Sequence, residues 1–177
     1  ETGMFSLHRQ PADLVTVAQE ILAEHREAMG STLRVEILAP SLEVEMDRER
    51  ISQVLLNLLS NARKYSSKGS TITVRVHMAD EHALISVEDQ GVGIPTEKLD
   101  HIFERFYRVP EIDVQTGSSS GVGLGLYIAK KIVERHDGRL TASSIPGQGS
   151  IFTIHLPLLQ KSEQKSSNHL EFPLSGT

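Results

Sequence analysis

Apolar positions recur at helical spacing in some stretches of the chain and at strand spacing in others. From Pro11-Ala12-Asp13 onward, Leu14, Val17, Ala18, Ile21, Leu22, His25 and Met29 lie mostly three or four apart until Gly30, which predicts a first helix after nine irregular residues. Leu33, Val35 and Ile37 then alternate with Arg34 and Glu36, and Leu42, Val44 and Met46 alternate with Glu43 and Glu45, so two half-buried strands flank a turn at Pro40. Asp47 stands where it caps a second helix, in which Ile51, Val54, Leu55, Leu58, Leu59 and Ala62 form one apolar stripe before a turn at Lys68-Gly69. Two β-rich runs, Thr71 to His77 and Ala83 to Asp89, read as a hairpin joined by Ala79-Asp80-Glu81-His82.

Further along, Thr96 to Phe103 predicts a short helix capped by Thr96, and Leu124 to His136 a longer one stopped near Gly138. Arg139 to Ile145 and Ile151 to Leu156 make a closing hairpin around Pro146-Gly147-Gln148-Gly149. This order gives one mixed sheet with helices gathered on one face, an α/β two-layer sandwich rather than a regular βαβ series. Two intervals fall outside the pattern. Residues 109–120 carry Pro, Gly and three consecutive serines, the composition of a lid or binding loop. The stretch 160–177 is rich in Ser, Lys and Gln and reads as a disordered tail, leaving 10–159 as the domain and 1–9 as a junction to something upstream or a remnant.

Composition narrows the function classes. At 177 residues the chain buries roughly 70% of its unfolded surface and needs no staple, and the absence of cysteine excludes thiolate metal sites and Cys nucleophiles. Eighteen basic residues against 23 acidic ones give a net charge of −5, which argues against broad nucleic-acid binding. No apolar run approaches the roughly 18 residues that cross a bilayer, so no membrane contact is expected of this domain.

Within the second helix, at about 100° per residue, Gln53, Asn57, Asn61 and Lys64 fall on a narrow polar stripe beside the apolar arc. Asparagine is a poor helix former, and two of them bordering a core need polar partners. Amide oxygens are hard ligands suited to Mg²⁺ beside phosphate, and Lys64 adds a cation for the same phosphates. A solvated face with its amides bonded to a loop accounts for the stripe equally well. Asp89-Gln90-Gly91-Val92-Gly93 places a carboxylate at a strand end, expected to be exposed, before two glycines that let a backbone approach a flat ligand. That carboxylate can accept a hydrogen bond from an exocyclic amine such as adenine's, or close a tight turn on itself. Gly121-Val122-Gly123-Leu124-Gly125 precedes a helix, whose free N–H groups receive phosphate oxygens, or else it is a hinge. The spacing is neither the dinucleotide fingerprint nor a Walker A sequence. Phe103, Phe106 and Tyr107 cluster with Arg105 and Arg108, as an anchor for the loop that follows or simply as core packing, which leaves Arg108 unexplained.

Taken together, these segments resemble the ATP-binding catalytic domain of two-component sensor histidine kinases, within the GHKL ATPase superfamily and its Bergerat-type fold. Residues 53–66 look like the N box, 89–94 the first glycine box, 103–108 the F box, and 121–126 the second glycine box. Gly147-Gln148-Gly149-Ser150 resembles the final Gly/Thr turn. The resemblance implies ATP and Mg²⁺ as cofactors. It makes Asn61 and Asn57 metal ligands, Lys64 and Arg108 the catalytic cations, with Arg108 at the γ-phosphate, Tyr65 a neighbour of the nucleotide and Asp89 the reader of adenine. Gly91, Gly93 and Ile94 line the pocket on one side, and Gly121, Val122, Gly123, Leu124 and Gly125 on the other. The family's acceptor histidine sits on a helical dimerisation domain and is followed by an acidic residue and, a few positions on, a proline. None of the eight histidines here has that setting, so the acceptor domain of a homodimeric parent and a response regulator are the implied partners. Gyrase-, MutL- and Hsp90-type ATPases of the superfamily place a glutamate where this chain has Asn57. That disfavours water activation as the activity, and retained motifs argue against a non-catalytic binding module.

Overall fold

The computed structural model describes residues 6–29, 33–109 and 122–160. Its elements are β1 (Gln10–Asp13), α1 (Leu14–Met29), β2 (Leu33–Ile37), β3 (Glu43–Met46), α2 (Arg48–Tyr65), β4 (Ile72–Ala79), β5 (His82–Asp89), α3 (Gly125–Glu134), β6 (Arg139–Ile145) and β7 (Gly149–Pro157), with one 3₁₀ turn at Thr96–Lys98. Five strands form a mixed sheet in the order β2-β4-β5-β7-β6, in which only the β2–β4 pair is parallel.

Register sorts the sheet residues by face. Val35, Val74, Val87, Phe152 and Ala142 lie side by side across the five strands, and Ile37, Val76, Ile85, Ile154 and Leu140 make the next row. These rows join the apolar stripes of α1, α2 and α3 in one core. The alternate positions carry polar side chains on the other face, where Arg75 pairs with Glu36 and Glu88 and Ser86 bonds Thr153. The expected two-layer sandwich is therefore the observed architecture.

Several local details differ from the sequence reading. Pro11-Ala12-Asp13 belongs to β1, which pairs antiparallel with β3, and the two strands flanking Pro40 do not pair with each other. A proline is tolerated there because β1 is an edge strand. Asp13 caps α1 instead, its carboxylate accepting the N–H groups of Val15 and Leu42 and the Thr16 hydroxyl. Thr96 opens the 3₁₀ turn itself rather than capping a helix, and no side chain caps that turn. The hairpin turn between β4 and β5 is tighter than expected, Asp80-Glu81, with Asp80 in the left-handed region. The tail from 161 lies outside the described residues, as do 1–5 of the N-terminal junction and 110–120 of the expected lid.

Asp47 caps α2 as expected, accepting the Arg50 N–H, and its second oxygen takes the N–H of His8. Its own N–H donates to Nε2 of the buried His136, whose Nδ1 bonds the Ile132 carbonyl. Those partners fix a neutral ring with its proton on Nδ1. Burial, with the Arg9 charge beside it, pushes the His136 pKa below 6.5, against the Ile132 bond and the charges of Asp47 and Asp137. The unfolded chain then takes up the proton first as pH falls, so this stabilisation is present above 6.5 and lost below it. Thermal melts at about pH 7.5 and about pH 5.5 are expected to show a lower Tm in acid, and a smaller drop for His136→Gln.

Candidate nucleotide-binding site

Two connected hollows open between α2, the turn after β5 and the start of α3. The inner one, about 690 Å³ with its mouth included, is lined among others by Asn61, Tyr65, Asp89, Ile94, Leu126 and Phe152. The outer one is a broader trough walled by Asn57, Asn61, Lys64 and the stretch from Val122 to Leu126. Asn61, Tyr65, Ile102, Tyr107 and Leu126 border both.

The helical register that buries Val54, Leu58 and Ala62 leaves Asn57 and Asn61 half-buried on the flank of α2, aligned with the hollows. Their roles diverge. Asn61 stands where recess and trough meet. Asn57, one turn earlier, packs its amide on the backbone of Gly125, where an added Cβ would come within 2.7 Å of its Oδ1. Lys64 borders the trough and lies 5.2 Å from the centroid of the Tyr65 ring.

Asp89 is not the exposed carboxylate that its place at a strand end suggested: it is only 6% accessible and lines the inner recess. Its Oδ1 accepts the Gly91 N–H at 2.8 Å, and the Ser150 N–H bonds the same carboxylate. Burial pushes its pKa above the ordinary 3.8 and Glu88 adds to the rise, so these two N–H bonds offset only part of the desolvation.

The glycines of the first turn serve packing as much as access. A Cβ on Gly91 would lie 2.4 Å from the Tyr65 carbonyl oxygen, which also accepts the Val92 N–H, so the turn is seated on the end of α2. Gly93 has φ +69 and fits against the Ile145 carbonyl. Gly91 therefore underlies the recess, while Gly93 and Ile94 line it. At the trough, α3 begins at Gly125 with no side-chain cap among the described residues, and its first N–H groups and positive end suit an anion. Val122, Gly123, Leu124 and Gly125 form that rim, and Gly121 lies outside the described residues.

The aromatic cluster divides. Phe103 packs edge-on against Phe152 and Tyr107 lies beside His101, whereas Phe106, with φ +65, is 55% exposed. Arg108 lines the inner recess and not the trough that holds Lys64. Sequence reasoning missed the apolar walls, Ile102, Leu126 and Phe152, and gave Ser150 no role of its own. The signal for Ser150 was its pairing with Asp89 across β5 and β7.

An apolar slot ending in a carboxylate, continuous with a cation-bearing trough at a helix start, suits a flat base with a polyphosphate tail, and the class is that of nucleotide-binding catalytic domains. Residues 46–160 match the family model described as histidine kinase-, DNA gyrase B- and HSP90-like ATPase. The sensor histidine kinase WalK of Bacillus subtilis is 44% identical over 124 residues, 69% of this chain and 20% of the relative. The adaptive-response sensory kinase SasA of Prochlorococcus marinus is 36% identical over 86% of this chain and 40% of the relative. Among solved structures, the mycobacterial sensor histidine kinase MprB superposes with a TM-score of 0.70 at 32% identity, covering 85% of this chain and 97% of that one. The chain belongs to this ATPase family, as an ATP-binding catalytic domain of the sensor histidine kinase type. It spans well under half the length of these two curated relatives.

Proposed function

We propose that the domain binds ATP with Mg²⁺ and presents the γ-phosphoryl group to a histidine on a separate helical dimerisation domain, from which a response regulator is phosphorylated. The observation that carries this reading is the pairing of hollows: Asp89 on the inner recess for the base, Lys64 and the α3 N-terminus on the outer trough for phosphates. In the transfer, the bond from the γ-phosphorus to the bridging oxygen breaks, ADP leaves with that electron pair, and an N–P bond forms. Positioning and charge neutralisation are the domain's share of the work.

The residues fit a phosphate-borne cation. Among the described residues no cluster of three His, Asp or Glu side chains could hold a metal alone, so phosphate oxygens must supply part of the shell. Asn61, at the junction of the hollows, is the ligand that the geometry favours, with Asn57 further along the same wall. Bound Mg²⁺ would neutralise phosphate charge. Arg108 would serve the γ-phosphate by swinging from the recess toward the trough.

Hydrolysis is the weaker reading, because among the described residues no Asp or Glu borders the trough to act as a base for water. Mixing the domain with labelled ATP, Mg²⁺ and its cognate acceptor domain tests the choice. Acid-labile, base-stable label on the acceptor is the expected result, and free phosphate without it would overturn the proposal. Asn61→Ala is expected to weaken ATP binding about tenfold or more with Mg²⁺ present and far less in chelator, by calorimetry. Equal losses in both would remove its role as a ligand.

A further inference from the structure

Asp89, Ser150 and Ser144 stand in one row across β5, β7 and β6, on the face of the sheet that carries the recess. Ser150 is buried and lines the recess beside Asp89. Ser144 lies behind it, with three contacts: its Oγ is 2.7 Å from the Ile94 nitrogen, 2.7 Å from the Gly149 carbonyl oxygen and 2.9 Å from the Ser150 Oγ.

A hydroxyl has one proton and two lone pairs, and here each is assigned. The Ile94 N–H can only donate, so it uses one lone pair. The Gly149 carbonyl can only accept, so it takes the Ser144 proton. The remaining lone pair faces Ser150, which must therefore donate its own proton to Ser144. The Ser150 oxygen is left with its lone pairs for the recess. Both groups then offer acceptors only, the ionised Asp89 carboxylate and the Ser150 oxygen.

We infer that Ser144 is a specificity-determining positioning residue: by holding the Ser150 hydroxyl as an acceptor, it makes the base-reading end favour a 6-amino purine and reject a 6-oxo purine. The inference rests on the proposed ATP site and adds how that site discriminates. A 6-oxo group brings an acceptor where the site already presents acceptors, and buried lone pairs facing one another are costly. Without Ser144 the Ser150 hydroxyl is free to rotate and donate to a carbonyl, which rescues the wrong base. The same serine ties the first glycine turn, through Ile94, to the closing hairpin, through Gly149, so both walls of the recess share one pin.

Calorimetric titration of the domain with ATP and with inosine triphosphate, whose base carries oxygen at the 6-position, tests this. Wild type is expected to prefer ATP. In Ser144→Ala the ratio of the two affinities is expected to narrow by about tenfold, and Ser144→Thr, which keeps the hydroxyl, to restore it. A purely structural role would weaken both nucleotides equally, and an unchanged ratio in a folded Ser144→Ala would overturn the inference while leaving the ATP site standing. Wild type that binds neither nucleotide would overturn the site and the inference together.

Discussion

Asp89→Asn is expected to lower ATP affinity by roughly ten- to a hundredfold while leaving the domain folded. A hydrogen bond to a charged group contributes about 1.5–3 kcal/mol, and each 1.4 kcal/mol is about a factor of ten. Asparagine keeps the shape and one acceptor for the N–H groups of Gly91 and Ser150, but turns an amide donor where an amine must be received. It also deletes a carboxylate that burial already disfavours, which limits the loss in Tm. Alanine is the less clean probe, since it strands both N–H groups. The raised pKa sets a pH dependence. The ionised form accepts the amine, so ATP affinity is flat at neutral pH and falls as pH drops through a value above 3.8. The same ionised form is disfavoured by burial, so Asp89 contributes stability at low pH that is lost as pH rises through that value. Titrations over a pH series check both directions. A wild-type-like affinity in folded Asp89→Asn would refute the base-reading role.

Gly91→Ala is expected to have the second largest effect, and on two observables at once. The new methyl would sit 2.4 Å from the Tyr65 carbonyl oxygen and 2.8 Å from Asp89 Oδ1. Neither neighbour yields cheaply, the first being backbone at the end of α2 and the second a buried carboxylate. The turn must lift off α2, weakening the Val92 N–H bond to Tyr65 and the bridge between Ser66 and Gly91. Overpacking of this kind costs about 1–3 kcal/mol, or a Tm lower by roughly 2–12 °C in a domain this size. ATP affinity is expected to fall with it, because the same movement disturbs the Asp89 oxygen that the Gly91 N–H holds. A variant with unchanged Tm would show that the turn is not seated as described.

What the sequence made legible follows from the range of each interaction. The second helix and its Asn57-Asn61-Lys64 flank were readable because periodicity and side-chain spacing within one helix are local. The carboxylate at Asp89 and the glycines after it were readable as a turn for the same reason. Its burial was not, because the residues that cover it come from β7 and α2, far away in sequence. Ser150 meets Asp89 only through the β5–β7 register, and Ser144 meets Ser150 only through β6–β7, so their shared row appears only once the strands are ordered. β1 was missed because Pro-Ala-Asp before an apolar period is a strong helix-start signal, while its strand character depends on a partner, β3, some thirty residues later. Phe106 is exposed with a left-handed backbone, and Arg108 two residues on lines the inner recess, a local geometry that no composition announced.

In the proposed site one base and one polyphosphate tail lie in the two hollows in a fixed direction. A crystal structure of the domain with Mg²⁺ and a non-hydrolysable ATP analogue shows whether they do. The expected density places the base in the inner recess with its amine at Asp89, and the phosphates in the trough by Lys64 and the start of α3, with the metal on Asn61. Density showing the recess filled by the protein's own side chains, and the analogue elsewhere or reversed, would overturn the proposed site.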